Sequence, residues 1–234
     1  MIKPAITHAF RLSAAALSLA LLSACGSLLP TPAEQPQRYS LDQAGLNVAP
    51  TPASKQGPTL IVNPPRAASG FDSQRISYVR QPHLLEYYAQ SEWVDTPARM
   101  LAPLIVSAIE NTGAFRAVIL TPSAATGELR LHTEIIRLQH DLSAQPGRVV
   151  FTLRAYLVDT TSRQVIASRE FNESVIATSE TPYAGVVAAN LAVQAGLEKL
   201  AIFCQEIALN LRSTAEEAQN PHEKKTASPL KPQF

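Results

Sequence analysis

Arg148-Val149-Val150-Phe151-Thr152-Leu153-Arg154-Ala155-Tyr156-Leu157-Val158 is the stretch that decides the fold. Val149, Phe151, Leu153, Ala155 and Leu157 recur at every second position with Thr152, Arg154 and Tyr156 between them. A strand turns successive side chains to opposite faces, so one face here is apolar and the other meets water. That one-sided pattern belongs to an antiparallel strand. Upstream, Leu129, Leu131, Thr133 and Ile135 alternate with Arg130, His132 and Glu134 in Glu128 to Leu138, before the pattern turns apolar on both sides. Downstream, Gln164 to Ile176 makes a third run, joined through the short Asp159-Thr160-Thr161-Ser162-Arg163 turn. Short connections predict successive antiparallel hairpins.

Further strands are expected at Arg38 to Leu41, at Thr59 to Asn63 (stopped by Pro64-Pro65), and at Phe115 to Leu120. Two more flank the Gln81-Pro82-His83 turn, around Ile76 and Tyr78 and from Leu84 to Tyr88. Thr96-Pro97 reads as a helix start, a capping hydroxyl followed by a proline whose missing N–H is harmless at the first helical position. Leu101, Leu104, Ile105, Ala108 and Ile109 give that helix its apolar face, and Asn111-Thr112-Gly113 ends it. Pro103 inside it predicts a kink, or a start delayed toward Ala102. A second, longer helix is expected from Thr181-Pro182 through Leu211. These elements make a single α+β domain: a largely antiparallel sheet with two long helices packed on one face.

The 234 residues are 46% hydrophobic and 17% charged, enough apolar material for one sizeable core. Only Lys3 and Arg11 are charged within residues 1–24, which leaves 18 basic against 19 acidic residues beyond. The basic residues are interleaved with acids, so no nucleic-acid footprint is present. Of the two cysteines, Cys204 shares a helical stripe with Asn190, Val193, Leu197, Leu200, Ile207 and Leu211, where a buried thiol is inert packing.

The other cysteine lies in a different context. Lys3 and Arg11 accompany a Leu/Ala/Ser run from Leu12 to Leu22, the layout of a signal peptide. That run is shorter than the roughly 20 residues needed to cross a bilayer. It ends in Leu22-Ser23-Ala24-Cys25, which matches the lipobox of bacterial lipoproteins: cleavage before Cys25 follows attachment of diacylglycerol to its sulfur. Residues 1–24 are therefore expected to be a signal peptide, 25–37 a lipidated tether, 38–212 the folded domain and 213–234 a disordered tail. A diacylglycerol with an amide-linked third chain anchors more firmly than one acyl chain. Gly26 resembles the residue found there in lipoproteins sorted to the outer membrane, since those kept at the inner membrane usually carry Asp.

Arg75-Ile76-Ser77-Tyr78-Val79-Arg80-Gln81-Pro82-His83-Leu84-Leu85-Glu86-Tyr87-Tyr88-Ala89, then Trp93, then Pro97-Ala98-Arg99-Met100-Leu101, resembles the ABC-type transport auxiliary lipoproteins. Gly113-Ala114-Phe115-Arg116 and Ala188-Ala189-Asn190 fit the same family, so the likeness spans nearly all of the folded part. It departs at Glu92, where such proteins often carry a basic residue. The resemblance implies a non-catalytic component of an intermembrane lipid transport system, similar to the paraquat-inducible kind. Its partners would be an MCE-domain protein, a permease and an ATPase. It also implies a periplasmic domain at the outer membrane and no cofactor beyond the lipid on Cys25; a homo-oligomer is compatible with it. Trp93, Tyr87 and Tyr88 are candidate partner contacts, because exposed aromatics supply large amphipathic area at interfaces. Tyr78 belongs to the same set, and core packing is the competing reading for all of them: it is the better one for Tyr78 and Tyr88, on apolar strands, while Trp93, in a short polar connector before a helix, fits core and contact equally.

There is no Gly-x-Ser-x-Gly elbow, no His-Glu-x-x-His, no phosphate loop and no cysteine pair at metal spacing. His132 and Glu134 share a strand face, and His140-Asp141 follows, but polar residues alternating with Leu129 and Leu131 are what the wet side of a sheet looks like. Neither a catalytic nor a metal residue is assigned. A cell-wall scaffold lipoprotein and a lipid-anchored hydrolase are the other function classes.

Overall fold

The computed structural model describes residues 35–42 and 51–219. The expected signal segment, Cys25, most of the tether, and residues 220–234 of the expected tail lie outside them. The described chain forms one domain of nine strands and two helices: β1 (Gln37–Tyr39), β2 (Thr59–Val62), β3 (Arg66–Ala67), β4 (Arg75–Gln81), β5 (Leu84–Trp93), α1 (Pro97–Glu110), β6 (Ala117–Leu120), β7 (Leu129–Asp141), β8 (Arg148–Asp159), β9 (Val165–Ile176) and α2 (Pro182–Gln219).

The three alternating runs are β7, β8 and β9, and they pair as successive antiparallel hairpins. Their apolar sets turn inward: Leu129, Leu131, Ile135, Phe151, Leu153 and Leu157 are completely buried. Each such side chain contributes about 1.5–3 kcal/mol on leaving water. A bulge between Ile135 and Arg137 explains why the pattern of β7 changes midway. It adds one residue to one strand, so the inward positions switch from odd to even numbers and Leu138 and His140 point into the core.

The other side of β7 is shared in turn by β2, β3 and β4, all parallel to it. With β1 against β5 and β2 against β6, the sheet contains five parallel pairings, each only two to four residues long. Antiparallel pairing joins β4–β5, β7–β8 and β8–β9 and supplies the long ladders. The sheet is thus mixed, and its parallel part comes from pairings too short to show in the sequence pattern.

Both helices enter one core cluster with the inward side chains of the sheet. α1 begins at Pro97, not near Ala102, because Pro103 lies on the exposed side of the helix. The Arg99 carbonyl that loses its donor there is on the wet face, so water can satisfy it. Thr96 is the N-cap, yet its hydroxyl makes no capping bond; the Asp95 side chain instead accepts from the Thr96 N–H at 2.7 Å. The second start behaves as expected: Thr181 Oγ1 accepts from the Ala184 N–H at 3.3 Å.

α2 runs to Gln219, eight residues beyond Leu211, so the chain stays helical past the expected start of the tail. Its buried side is rich in alanine: Ala184, Ala188, Ala189, Ala192, Ala201 and Ala208. Small residues let the helix lie close on the sheet. At Gly185 a Cβ would fall 2.6 Å from His140 Nδ1, and at Gly196 2.8 Å from Phe151 Cε1, so even alanine would push the helix away. α2 is long and apolar enough to span a membrane by length and composition, but 56% of its apolar window is buried in this domain. Cys204 is fully buried, and desolvation pushes its thiol up to about 12, the inert packing role expected of it.

Candidate functional site

The aromatic residues singled out in the sequence gather on the β4–β5 hairpin. A two-residue turn, Pro82-His83, closes it, with His83 in the left-handed region at φ 69°. Tyr87 and Tyr88 are consecutive on β5 and so point to opposite faces. Tyr87 is half-buried; its hydroxyl donates to the Gly70 carbonyl at 3.3 Å and the Arg75 guanidinium lies 3.8 Å over its ring. Tyr88 packs against the core, stacked on Tyr78 with centroids 4.5 Å apart, and its hydroxyl meets His140 Nδ1 at 3.0 Å. Burial pushes the Tyr88 hydroxyl up to about 12. Toward the tip, Arg80 donates from Nε and Nη2 to the two carboxylate oxygens of Glu86 and holds that carboxyl below its usual range. Leu84, at the tip, is exposed.

Trp93 is not part of this surface. It ends β5 with 3% of its surface exposed, inside the core cluster. The polar connector in which the sequence places it belongs to the strand: Ser91 is buried beside it, and β1 pairs with Ser91, Glu92 and Trp93 to carry the sheet past the indole. Glu92 on the outer side binds Arg38 at 2.9 Å. A partner could touch Tyr87 and the hairpin tip, but Trp93 faces inward.

The tempting polar residues divide likewise. His132 is exposed on the face away from the helices, its Nδ1 3.2 Å from Asn63 Nδ2, while Arg130 donates to Asn63 Oδ1 at 3.0 Å. Glu134, Arg154 and Glu170 stand opposite one another across β7, β8 and β9, a ladder of alternating charge on the wet side of the sheet. A shallow hollow of about 510 Å³ opens there, lined by Asn63, Arg66, His132, Glu134 and Tyr156 among others. A second, of about 520 Å³, lies between β1 and α2 and is lined by Tyr39, Tyr183, Val187 and Leu191 with polar neighbours. Among the described residues no group of three or more His, Cys, Asp or Glu could hold a metal ion.

His140 is the polar residue whose place the sequence hid. It is 2% exposed beneath Gly185, and its Nε2 is buried without a hydrogen-bond partner in the protein. The one signal was the change of pattern after Ile135, which moves it inward. Burial holds its pKa below the ordinary 6.5, against opposing pulls from Glu180 and Asp141. His132 is lowered too, by partial burial and then by Arg130 and Arg66. In the unfolded chain both take a proton near pH 6.5, while the folded chain resists it. The unfolded state therefore binds more protons below that pH, and stability should fall as pH drops from 7.5 to 5.5. Carboxylates lowered by their partners, such as Glu86 and Glu128, act only further down, below the ordinary 4.5. Thermal melts across this range should show the decline, and His140→Gln should make it shallower, leaving the part due to His132. An undiminished slope in the variant would place the proton uptake elsewhere.

Comparison with known proteins fits this geometry. Residues 39–201 match the ABC-type transport auxiliary lipoprotein component family, from β1 to the middle of α2. Among solved structures, a Xanthomonas campestris protein is 24% identical with a TM-score of 0.61, covering 78% of this chain and 99% of its own. A crystal structure of an uncharacterized protein is 14% identical with a TM-score of 0.55, covering 74% of this chain and 99% of its own. At these identities the likeness establishes the fold alone. No curated protein matches the sequence. The family match covers well over half of the chain and nearly all of its folded part, so the chain belongs to the ABC-type transport auxiliary lipoprotein component family.

Proposed function

We propose that this protein is a lipid-anchored, non-catalytic auxiliary component of an ABC/MCE-type system that moves lipid between the inner and outer membranes. The observation that carries the reading is the family match, which runs across the sheet and both helices instead of resting on one motif. In this reading the lipid on Cys25 holds the domain at the periplasmic face of the outer membrane, and the domain docks with the MCE-domain protein of a complex that includes a permease and an ATPase. The β4–β5 hairpin tip supplies the docking surface. It joins an exposed apolar side chain, Leu84, to the Arg80–Glu86 pair and to the amphipathic Tyr87, a mixture of apolar anchor and polar rim typical of protein interfaces.

The test places a photo-crosslinking amino acid at Leu84 in the full-length chain and irradiates intact cells. Recovery of an MCE-domain protein is the expected result, with a control at the exposed Glu110, on the end of α1, giving little of it. Recovery of no transport component from Leu84, or of cell-wall material instead, counts against the proposal.

A further inference from the structure

β9 is twelve residues long and, among the described residues, hydrogen-bonds to β8 alone. Its other edge therefore presents a row of unpaired N–H and C=O groups. Proteins commonly blunt such edges by keeping them short, by placing proline or charged side chains there, or by covering them with a helix or loop. The other outermost strands are short, with three residues in β1 and four in β6, whereas β9 is long, contains neither proline nor lysine, and has its charges, Arg169, Glu170 and Glu173, each answered by an opposite charge of its own chain. A hollow of about 290 Å³ is lined by five consecutive residues, Arg169 to Glu173, with Lys199 and Ile202 of α2. Consecutive strand residues point to opposite faces, so a hollow touching all five opens on the edge of the strand. Exposed apolar side chains flank it: Val165, Ile166, Ile176 and Ile202.

We propose that this edge binds a second copy of the same chain, β9 against β9 and antiparallel, about a two-fold axis at Phe171. The occupant follows from the strand's own sequence, which is chemically palindromic about that residue. In this register Arg169 stands opposite Glu173 of the second copy, Ser168 opposite Ser174, Ala167 opposite Val175 and Ile166 opposite Ile176. Opposed side chains in such a pair have Cβ atoms about 4.5–5.5 Å apart, so the Arg169–Glu173 ion pair forms twice by symmetry, the serines and isoleucines meet their like, and Glu170 stands opposite Asn172. A slip of one residue would set Arg169 against Asn172 and Ser168 against Glu173, losing both ion pairs. Within each chain Arg169 and Glu173 already pair with Glu206 and Lys199 of α2, at 3.5 and 2.6 Å, so the contact between copies joins these pairs into one charge network. The contact is isologous, so it closes at two copies and does not propagate. It uses a strand remote in the sheet order from the β4–β5 hairpin and does not depend on the docking role proposed for that hairpin.

The experiment uses the full-length chain, purified from membranes in detergent, carrying Ser168→Cys or Ser174→Cys. Both positions are exposed, so folding should be unaffected. Co-expressed, the two variants should be joined by a short bis-maleimide into a covalent dimer. Each variant alone should give at least fivefold less, because like positions lie six residues, roughly 20 Å, apart along the paired strands. Native Cys204 is buried, and the unaltered chain controls for Cys25. Light scattering on the unaltered chain should give twice the monomer mass. A monomer, equal crosslinking of the single variants, or capture of a different polypeptide at β9 would each overturn the pairing.

Discussion

Trp93→Ala should lower the stability of the domain by about 3–5 kcal/mol, the usual cost of emptying a large aromatic site in a core. For a domain of this size that corresponds to a fall in melting temperature of roughly 6–20 °C. The reason is geometric. The indole is 3% exposed and closes the end of β5 against a cluster that includes Ile76, Leu101 and Leu138. Alanine would leave a void that neighbours bound into a mixed sheet could not fill. Trp93→Phe should recover most of the loss. Because Trp93 is the only tryptophan, the measurement is circular dichroism and not intrinsic fluorescence. An unchanged melt combined with weakened capture of the MCE-domain partner would return Trp93 to the surface and would overturn its placement in the core.

Cys25→Ala should abolish incorporation of radiolabelled fatty acid into the chain and leave residues 1–24 attached. The chemistry is all-or-none, since alanine has no sulfur to carry diacylglycerol. The consequence for location should also be large, because each buried CH₂ of the acyl chains contributes about 0.8 kcal/mol to membrane binding. Uncleaved residues 1–24 would themselves hold some chain at the inner membrane. The decisive companion is therefore Cys25→Ala behind an ordinary secretory signal, which should release a soluble periplasmic domain. Persistence of label in the alanine variant would remove Cys25 as the lipidation site.

The two substitutions differ in how far the sequence alone could anticipate them. The motif around Cys25 is read locally, because the residues that would direct lipidation and cleavage are neighbours in the chain. The alternating runs of β7, β8 and β9 were legible for a similar reason: a period of two fixes which side chains share a face, and the short turns force antiparallel neighbours. The apolar face of α1 and the buried stripe of α2 around Cys204 followed from the helical period. Trp93 was harder. A tryptophan among Ser91, Glu92 and Asp95 fits core and contact surface equally, and the choice is made only where β1, more than fifty residues away, pairs with the end of β5 and the indole is buried.

The α+β class, the antiparallel ladders and the lack of the common catalytic motifs were all legible in neighbouring residues, because periodicity and motif spacing are local properties. The sequence also carried the family likeness that the comparison established. The rest emerges only in the folded chain: the parallel seating of β2, β3 and β4 along β7, the burial of Trp93 and His140, and the open edge of β9. Each of these depends on which strand lies beside which. Pairings of two to four residues leave too little periodic signal to choose a neighbour, so that choice is made only when the whole core closes.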